Sequence, residues 1–272
     1  MGVFIDPRVD WAFKRIFGDK VLLIDFLNSL FEGERVITDL SYLNTERIGF
    51  HKEQRKSVYD LYCNTDTGEH IIIEMQNRWQ EHFRDRALYY LSKSIVNQGV
   101  KETGWDYKLT AVYGVFFVNF LLDKEPTEHF CKDVMLIDKH TGKVFNSKFR
   151  QIYIELPRFL KRKEDCENFF EYWIYNLINM NKMDEISFKD KQEILARLEK
   201  VASQANLSPE DRARYEEEWK RYNDYFNTLE SAHKQGEIEE KLRTACSLKN
   251  LGVDVKIISQ ATGLSIEEIE KL

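Results

Sequence analysis

The segment "YDLYCNTDTGEHIIIEMQ", residues 59–76, decides how this chain reads. β-Branched and aromatic residues flank "NTDTGE", whose Asn, Asp, Thr and Gly favour the local conformations that reverse a chain, so the stretch is a β-hairpin. Side chains alternate along a strand, which gives one face to His70, Ile72, Glu74 and Gln76 and the other to Ile71, Ile73 and Met75. A turn centred on Thr67 sets Asp60 opposite Glu74 and Val58 opposite Gln76. Three polar groups thus gather on one face of strands that are otherwise apolar.

Burying a carboxylate costs several kcal/mol unless it is paired, hydrogen-bonded or bound to a metal. Two side by side repel, and one is driven neutral unless a cation lies between them. A hard divalent ion fits this need, because Mg²⁺ takes one or two carboxylates and completes its shell with water and substrate phosphate. The chemistry that follows is metal-assisted phosphodiester hydrolysis, with Asp60 and Glu74 as ligands and Gln76, a neutral group, on the attacking water or a phosphate oxygen. The spacing is equally met by a buried polar cluster in which either carboxylate pairs with Arg84 or Arg86. On spacing alone both readings stand.

Outward from the hairpin, "DPRVDWAFKRIFGDKVLLIDFLNSLF" puts apolar residues at helical spacing on both sides of Gly18, giving two short helices. "VITDLSYLN" and "RIGFHKEQ" are strands or connections. "WQEHFRDRALYYLSKSIVNQ" reads as a helix of about five turns ended by the glycines of "GVKETG". "KLTAVYGVFFVNF" is a buried strand, "VMLIDKHTGKVFN" a second hairpin turning at Gly142, and "RQIYIELP" a further strand stopped by Pro157. Residues 1–157 therefore form an α/β unit. Beyond it, "CENFFEYWIYNLINM", "SFKDKQEILARLEKVASQ" and "SPEDRARYEEEWKRYNDYFNTLE", with Ser208 as N-cap and Pro209 in the first turn, make a helical extension over 158–230. Residues 231–272 form a helical tail: an amphipathic helix, then a short helix pair with Gly252 and Gly263 at the C-terminal caps.

The chain has 272 residues, 43% of them hydrophobic and 13% aromatic, enough for a sizeable core. A net charge of −6 weighs against a surface coated by nucleic acid through bulk electrostatics but leaves room for a local basic groove. The longest apolar run, "YGVFFVNFLL", is about half a membrane span, so no contact with a membrane is expected. Acidic residues interrupt the N-terminus before any signal sequence develops, which predicts a cytoplasmic protein. Four scattered cysteines and six scattered histidines suit reduced thiols and argue against a zinc enzyme.

At this point the sequence resembles a known family. "YDLYCNTDTGEHIIIEMQ", the following "FRDRALYYLSKSIVNQG", the strand "AVYGVFFVNF", the N-terminal "DWAFKRIFG" with "FLN", "IYIELPRF" and the ending "ATGLSIEEIEKL" together are similar to the Rpn recombination-promoting nucleases, often labelled transposases, of the PD-(D/E)xK nuclease superfamily. The resemblance implies a restriction-endonuclease-like α/β core, a mixed central sheet flanked by helices, with a C-terminal helical extension. It implies a metal-dependent DNA endonuclease of low sequence specificity, linked to recombination or mobile elements, using Mg²⁺ with Mn²⁺ or Ca²⁺ as substitutes. Asp60 fits the family's strand aspartate, Glu74 its acidic position and Gln76 the third position, where the superfamily usually carries Lys. Asp10 fits the acidic residue on the first helix that completes the metal shell, and Lys14 shares its helix face. Two alternatives are a DNA-binding or protein-interaction module that keeps the fold without cleavage, and a nuclease toxin or anti-phage effector.

The helix after Gln76 offers nucleic-acid contacts in Arg84, Arg86, Tyr90 and Lys93, since Arg grips phosphates and Tyr stacks on bases, with Leu88 and Leu91 marking its core side. "ISQATGLSIEEIEKL" has the helix-turn-helix outline, but Glu267, Glu268 and Glu270 would repel phosphates. Those C-terminal helices are therefore expected to serve protein contacts, including a homodimer.

Overall fold

The apolar spacing at the N-terminus yields α1 (Asp10–Phe17) and α2 (Lys20–Leu30), the second capped by Asp19, whose carboxylate accepts the amides of Val21 and Leu22. The computed structural model describes residues 2–44, 46–47, 57–99, 106–125, 127–190 and 192–272, which divide into two compact units, 1–215 and 216–272. Most of "RIGFHKEQ" and of "GVKETG" lies outside the described residues.

The first unit is built on a six-stranded mixed sheet in the order β1 (Leu40–Tyr42), β4 (Leu61–Thr65), β5 (His70–Gln76), β6 (Val112–Val118), β8 (Val144–Glu155), β7 (Cys131–Ile137). Strands β5, β6 and β8 run parallel, and the remaining pairings are antiparallel. A separate two-stranded ladder joins β2 (Glu46–Arg47) to β3 (Ser57–Val58). The mixed sheet with helices on both faces is the α/β arrangement the sequence implied.

The continuous apolar run of β6 is buried because both sheet faces are covered. On one face Phe117 lies 5.3 Å from Phe13 and from Phe26, within a layer of α1, α2 and Trp173 of α4 (Phe169–Asn179). On the other, α3 (Phe83–Val96) presses Phe83, Ala87 and Leu91 onto Val112, Phe116, Val118 and Tyr153. Close approach of α3 depends on Gly114, since a Cβ there would sit 2.8 Å from a Leu91 methyl and 2.5 Å from the Phe116 ring. A fifth helix, α5 (Ile194–Ala202), packs beside α1 and α2.

Several local expectations are corrected. The hairpin register is the expected one, Leu61 opposite Ile73 and Tyr62 opposite Ile72, but Asp60 stands one residue beyond the ladder and Val58 pairs with Glu46 rather than Gln76. The stretches "KVFN" and "RQIYIELP" are one strand, β8, whose exposed outer half hid its continuity; it ends at Glu155 in a short 3₁₀ turn containing Pro157. Helix α3 is 14 residues long, and Leu88 is 47% exposed rather than on its core side. The helix beginning at Pro209, with Ser208 accepting the Asp211 amide, runs without a break to Asn250 as α6. In the second unit Ala245 of α6, Ile258 of α7 (Val255–Thr262) and Ile269 of α8 (Ile266–Glu270) form a small core. Gly263 caps α7 in the left-handed region expected of a C-terminal glycine, and Ser265 and Glu268 close a capping box on α8.

Candidate active site

Strand alternation places Glu74 on the α3 side of β5, near the carboxyl ends of the parallel strands, where open α/β sheets bind their ligands. Its side chain is 2% exposed. Asp60, where β4 begins, turns one oxygen onto the main chain of the neighbouring strand and accepts the Met75 amide at 2.8 Å. That bond occupies an amide the ladder no longer reaches.

Both carboxyls are costly to ionise. Burial pushes Glu74 up to about 7, the Asp60 charge adds to the rise, and Arg86 and Gln76 pull it back. Burial likewise lifts Asp60 to about 6, opposed by the Met75 amide, reinforced by Asp10 and opposed again by Lys14. Gln76 donates to Glu74 Oε2 at 3.1 Å and Arg86 to the same oxygen at 3.3 Å. The other oxygen, Oε1, is buried with no hydrogen-bond partner. An acceptor in that state needs a cation or a proton, and a hard cation suits a carboxylate donor set. Among the described residues no three His, Cys, Asp or Glu side chains gather closely enough to hold a metal ion by themselves.

Asp10 opens α1 at the rim of this site, more than half exposed and bound to Lys14 at 2.8 Å. Lys14 lies 3.7 Å from Asp60 Oδ1. The structure thus brings together Asp60, Glu74, Gln76, Asp10, Lys14 and Arg86. Tyr90 adjoins them, with the Arg86 guanidinium 5.4 Å over its ring and Tyr59 in edge contact with it. Lys93 lies over Tyr89 instead, at 4.7 Å. Arg84 points to another cluster, donating to Asp123 at 3.0 Å, where Lys132 and Arg158 also converge.

One contributor escaped the sequence reading. Gln80, in the loop before α3, accepts from Arg86 at 2.7 Å and fixes its direction. No periodicity marks a loop residue of this kind, so only the fold reveals it.

A family model described as PD-(D/E)XK nuclease family transposase matches residues 7–232 of the chain. No curated protein and no solved structure matches it.

Proposed function

The chain belongs to the PD-(D/E)XK nuclease family transposases, which supports a hydrolytic nuclease acting on DNA, and on that premise we propose that it is a metal-dependent DNA endonuclease of low sequence specificity whose site is the Asp60–Glu74 pair. The observation that carries this reading is the buried Glu74 oxygen without a partner beside the half-buried carboxylate of Asp60. Asp60 and Glu74 would hold the ion, Mg²⁺ by preference with Mn²⁺ or Ca²⁺ as substitutes, together with the Met75 carbonyl. N–H and C=O of one extended residue project to the same strand edge, and the Met75 amide faces Asp60 past the end of the ladder, so its carbonyl opens to the same place. When bound, a divalent ion polarises the phosphate and lowers the pKa of a coordinated water.

The chain's own groups do the rest. Gln76, oriented by its bond to Glu74, presents its amide to the attacking water or a phosphate oxygen. Asp10 and Lys14 form a rim pair from which Asp10 is available as a further ligand once DNA engages Lys14. Tyr90 and Lys93 lie along α3 for contact with a strand passing the site, and Arg84, partly exposed in its cluster with Asp123, would meet the same nucleic acid further along. The biological setting in this reading is recombination or element mobility in the cytoplasm. Leu251, Ile257 and Ile266, all exposed in the second unit, support a homodimer through the C-terminal helices, which sedimentation would detect. Among the described residues no helix is long and apolar enough to cross a membrane.

The test is nicking of supercoiled plasmid with Mg²⁺, Mn²⁺ or chelator beside Asp60→Ala and Glu74→Ala. Cleavage that needs metal and drops at least about 10³-fold in both variants is expected. A wild-type protein that binds DNA but never cuts it would assign the fold to a non-catalytic module.

A further inference from the structure

Hydrolysis of a phosphodiester builds negative charge on the phosphate and on the leaving oxygen, and fixed positive groups aimed at that charge are among the largest contributors to rate. Gln76 contributes none. Among the described residues, two cations adjoin the carboxylate pair: Lys14, held by Asp10 at 2.8 Å on the exposed rim, and Arg86. Their settings differ. The Arg86 guanidinium stacks 5.5 Å over Phe83 and 5.4 Å over Tyr90, and its Nη1 donates to Gln80 at 2.7 Å. Rings and an amide therefore orient it before any ligand arrives.

Its bond to Glu74 is long for a charged pair, 3.3 Å where strong ones lie near 2.7–2.9 Å. Arg86 Nε is buried without a partner, as is Glu74 Oε1. A donor and an acceptor both unspent in one contacting pair call for a ligand carrying both signs of charge. A phosphate accompanied by a divalent ion has that character: anionic oxygens for the guanidinium fork, a cation for the carboxylate. Lys14, by contrast, is a single point charge held on the exposed rim by Asp10.

We propose that Arg86, delivered from α3 rather than from the β5 motif, is the catalytic cation of this site, contacting the phosphate under attack and stabilising the charge that forms on it. This rests on the nuclease reading and goes past it, since that reading asks only that α3 touch DNA. It predicts that Arg86 acts in the chemical step and competes with the bound ion for Glu74.

The experiment compares wild type with Arg86→Gln, Arg86→Lys and Arg86→Ala in metal-dependent plasmid nicking, with melting temperatures recorded for each. Arg86→Gln is expected to lose about 10²–10³-fold in kcat with KM changed less than about threefold, and Arg86→Lys to stay within about tenfold of wild type. Added guanidinium should restore part of the Arg86→Ala rate. Without DNA, Arg86→Gln should bind Mn²⁺ about fivefold more tightly by calorimetry, because a cation beside the ligands is gone. Equal rates for the Gln and Lys variants, a loss confined to KM, or unchanged or weaker Mn²⁺ binding by Arg86→Gln overturns the proposal. A wild type that does not cut removes the nuclease reading and this inference together, whereas metal-dependent cutting with an unimpaired Arg86→Gln removes this inference alone.

Discussion

Glu74 and Asp60 tie the stability of the metal-free protein to pH. Both carboxyls titrate higher in the folded chain than in the unfolded one, at about 7 and about 6. Between pH ~4 and ~7 the folded state therefore holds more protons, and stability falls as pH rises through that window. A melting temperature lower by on the order of 5–10 °C at pH 8 than at pH 5 is expected without metal. Glu74→Gln should flatten the profile and raise stability at pH 8, and Mn²⁺ at pH 8 should stabilise wild type but not this variant. A flat wild-type profile would mean that the two carboxyls ionise freely and that the site is wetter than described. These two residues were legible because strand alternation is a strict rule, and a charged residue in an apolar alternation has to be explained. Arg86 and Gln80 were less so: an arginine on a helix has many partners open to it, and its link to a loop glutamine depends on the crossing between β5 and α3.

At the scale of elements, the site depends on how closely α3 lies on β6, and Gly114 sets that distance. Gly114→Ala would drive a methyl into the Phe116 ring and Leu91, an overpacking that typically costs about 1–3 kcal/mol. Because α3 also carries Arg86, the expected result is a lower melting temperature and a fall in nicking rate together, readable by thermal denaturation and plasmid assay on one preparation. Gly236 is the contrast: it lies within α6 with nothing within 4 Å of its added Cβ, so Gly236→Ala should stabilise the helix by about 0.5–1 kcal/mol and leave cleavage unchanged. If Gly114→Ala behaves like Gly236→Ala, α3 is not held against the sheet as described. Hairpin β4–β5 and buried β6 could be recognised from composition because each is closed by local turn chemistry or burial on both faces. The true lengths of β8 and α6 could not. The polar "NSKFRQ" continues a strand because β7 pairs along it and β6 takes up Phe149–Gln151, and α6 is lined by i,i+4 pairs such as Arg214–Glu210 and Lys234–Glu230 that sequence reads as a solvated surface.

For the molecule as a whole, the first unit is closed by its two ends. Residues near the N-terminus form a strap with residues some 200 positions later: Ile5 donates to the Ala202 carbonyl, Gln204 donates to the Val3 and Phe4 carbonyls, and the Asp6 amide donates to the Tyr215 hydroxyl at 2.9 Å. Asp6 is itself held by Arg8 and Asn181, and the Trp11 ring lies 6.0 Å from Tyr215. The strap leads directly into α1, the helix that brings Asp10 and Lys14 to the site, so closure of the unit and placement of the rim are one problem. Tyr215 is 2% exposed, and its truncation in Tyr215→Ala should cost about 3–5 kcal/mol, whereas Tyr215→Phe, which removes only the hydroxyl partner of a buried amide, should cost about 1–3. The matched family region, 7–232, includes Tyr215, whereas a chain ending at 207 would lack it. The segment 1–232 is therefore expected to keep the main melting transition and metal-dependent nicking of the full chain, and 1–207 to melt many degrees lower and cut poorly. Equal melting for the two shortened chains would mean that the strap contributes nothing to closure and that α1 is positioned by its aromatic contacts to the sheet alone.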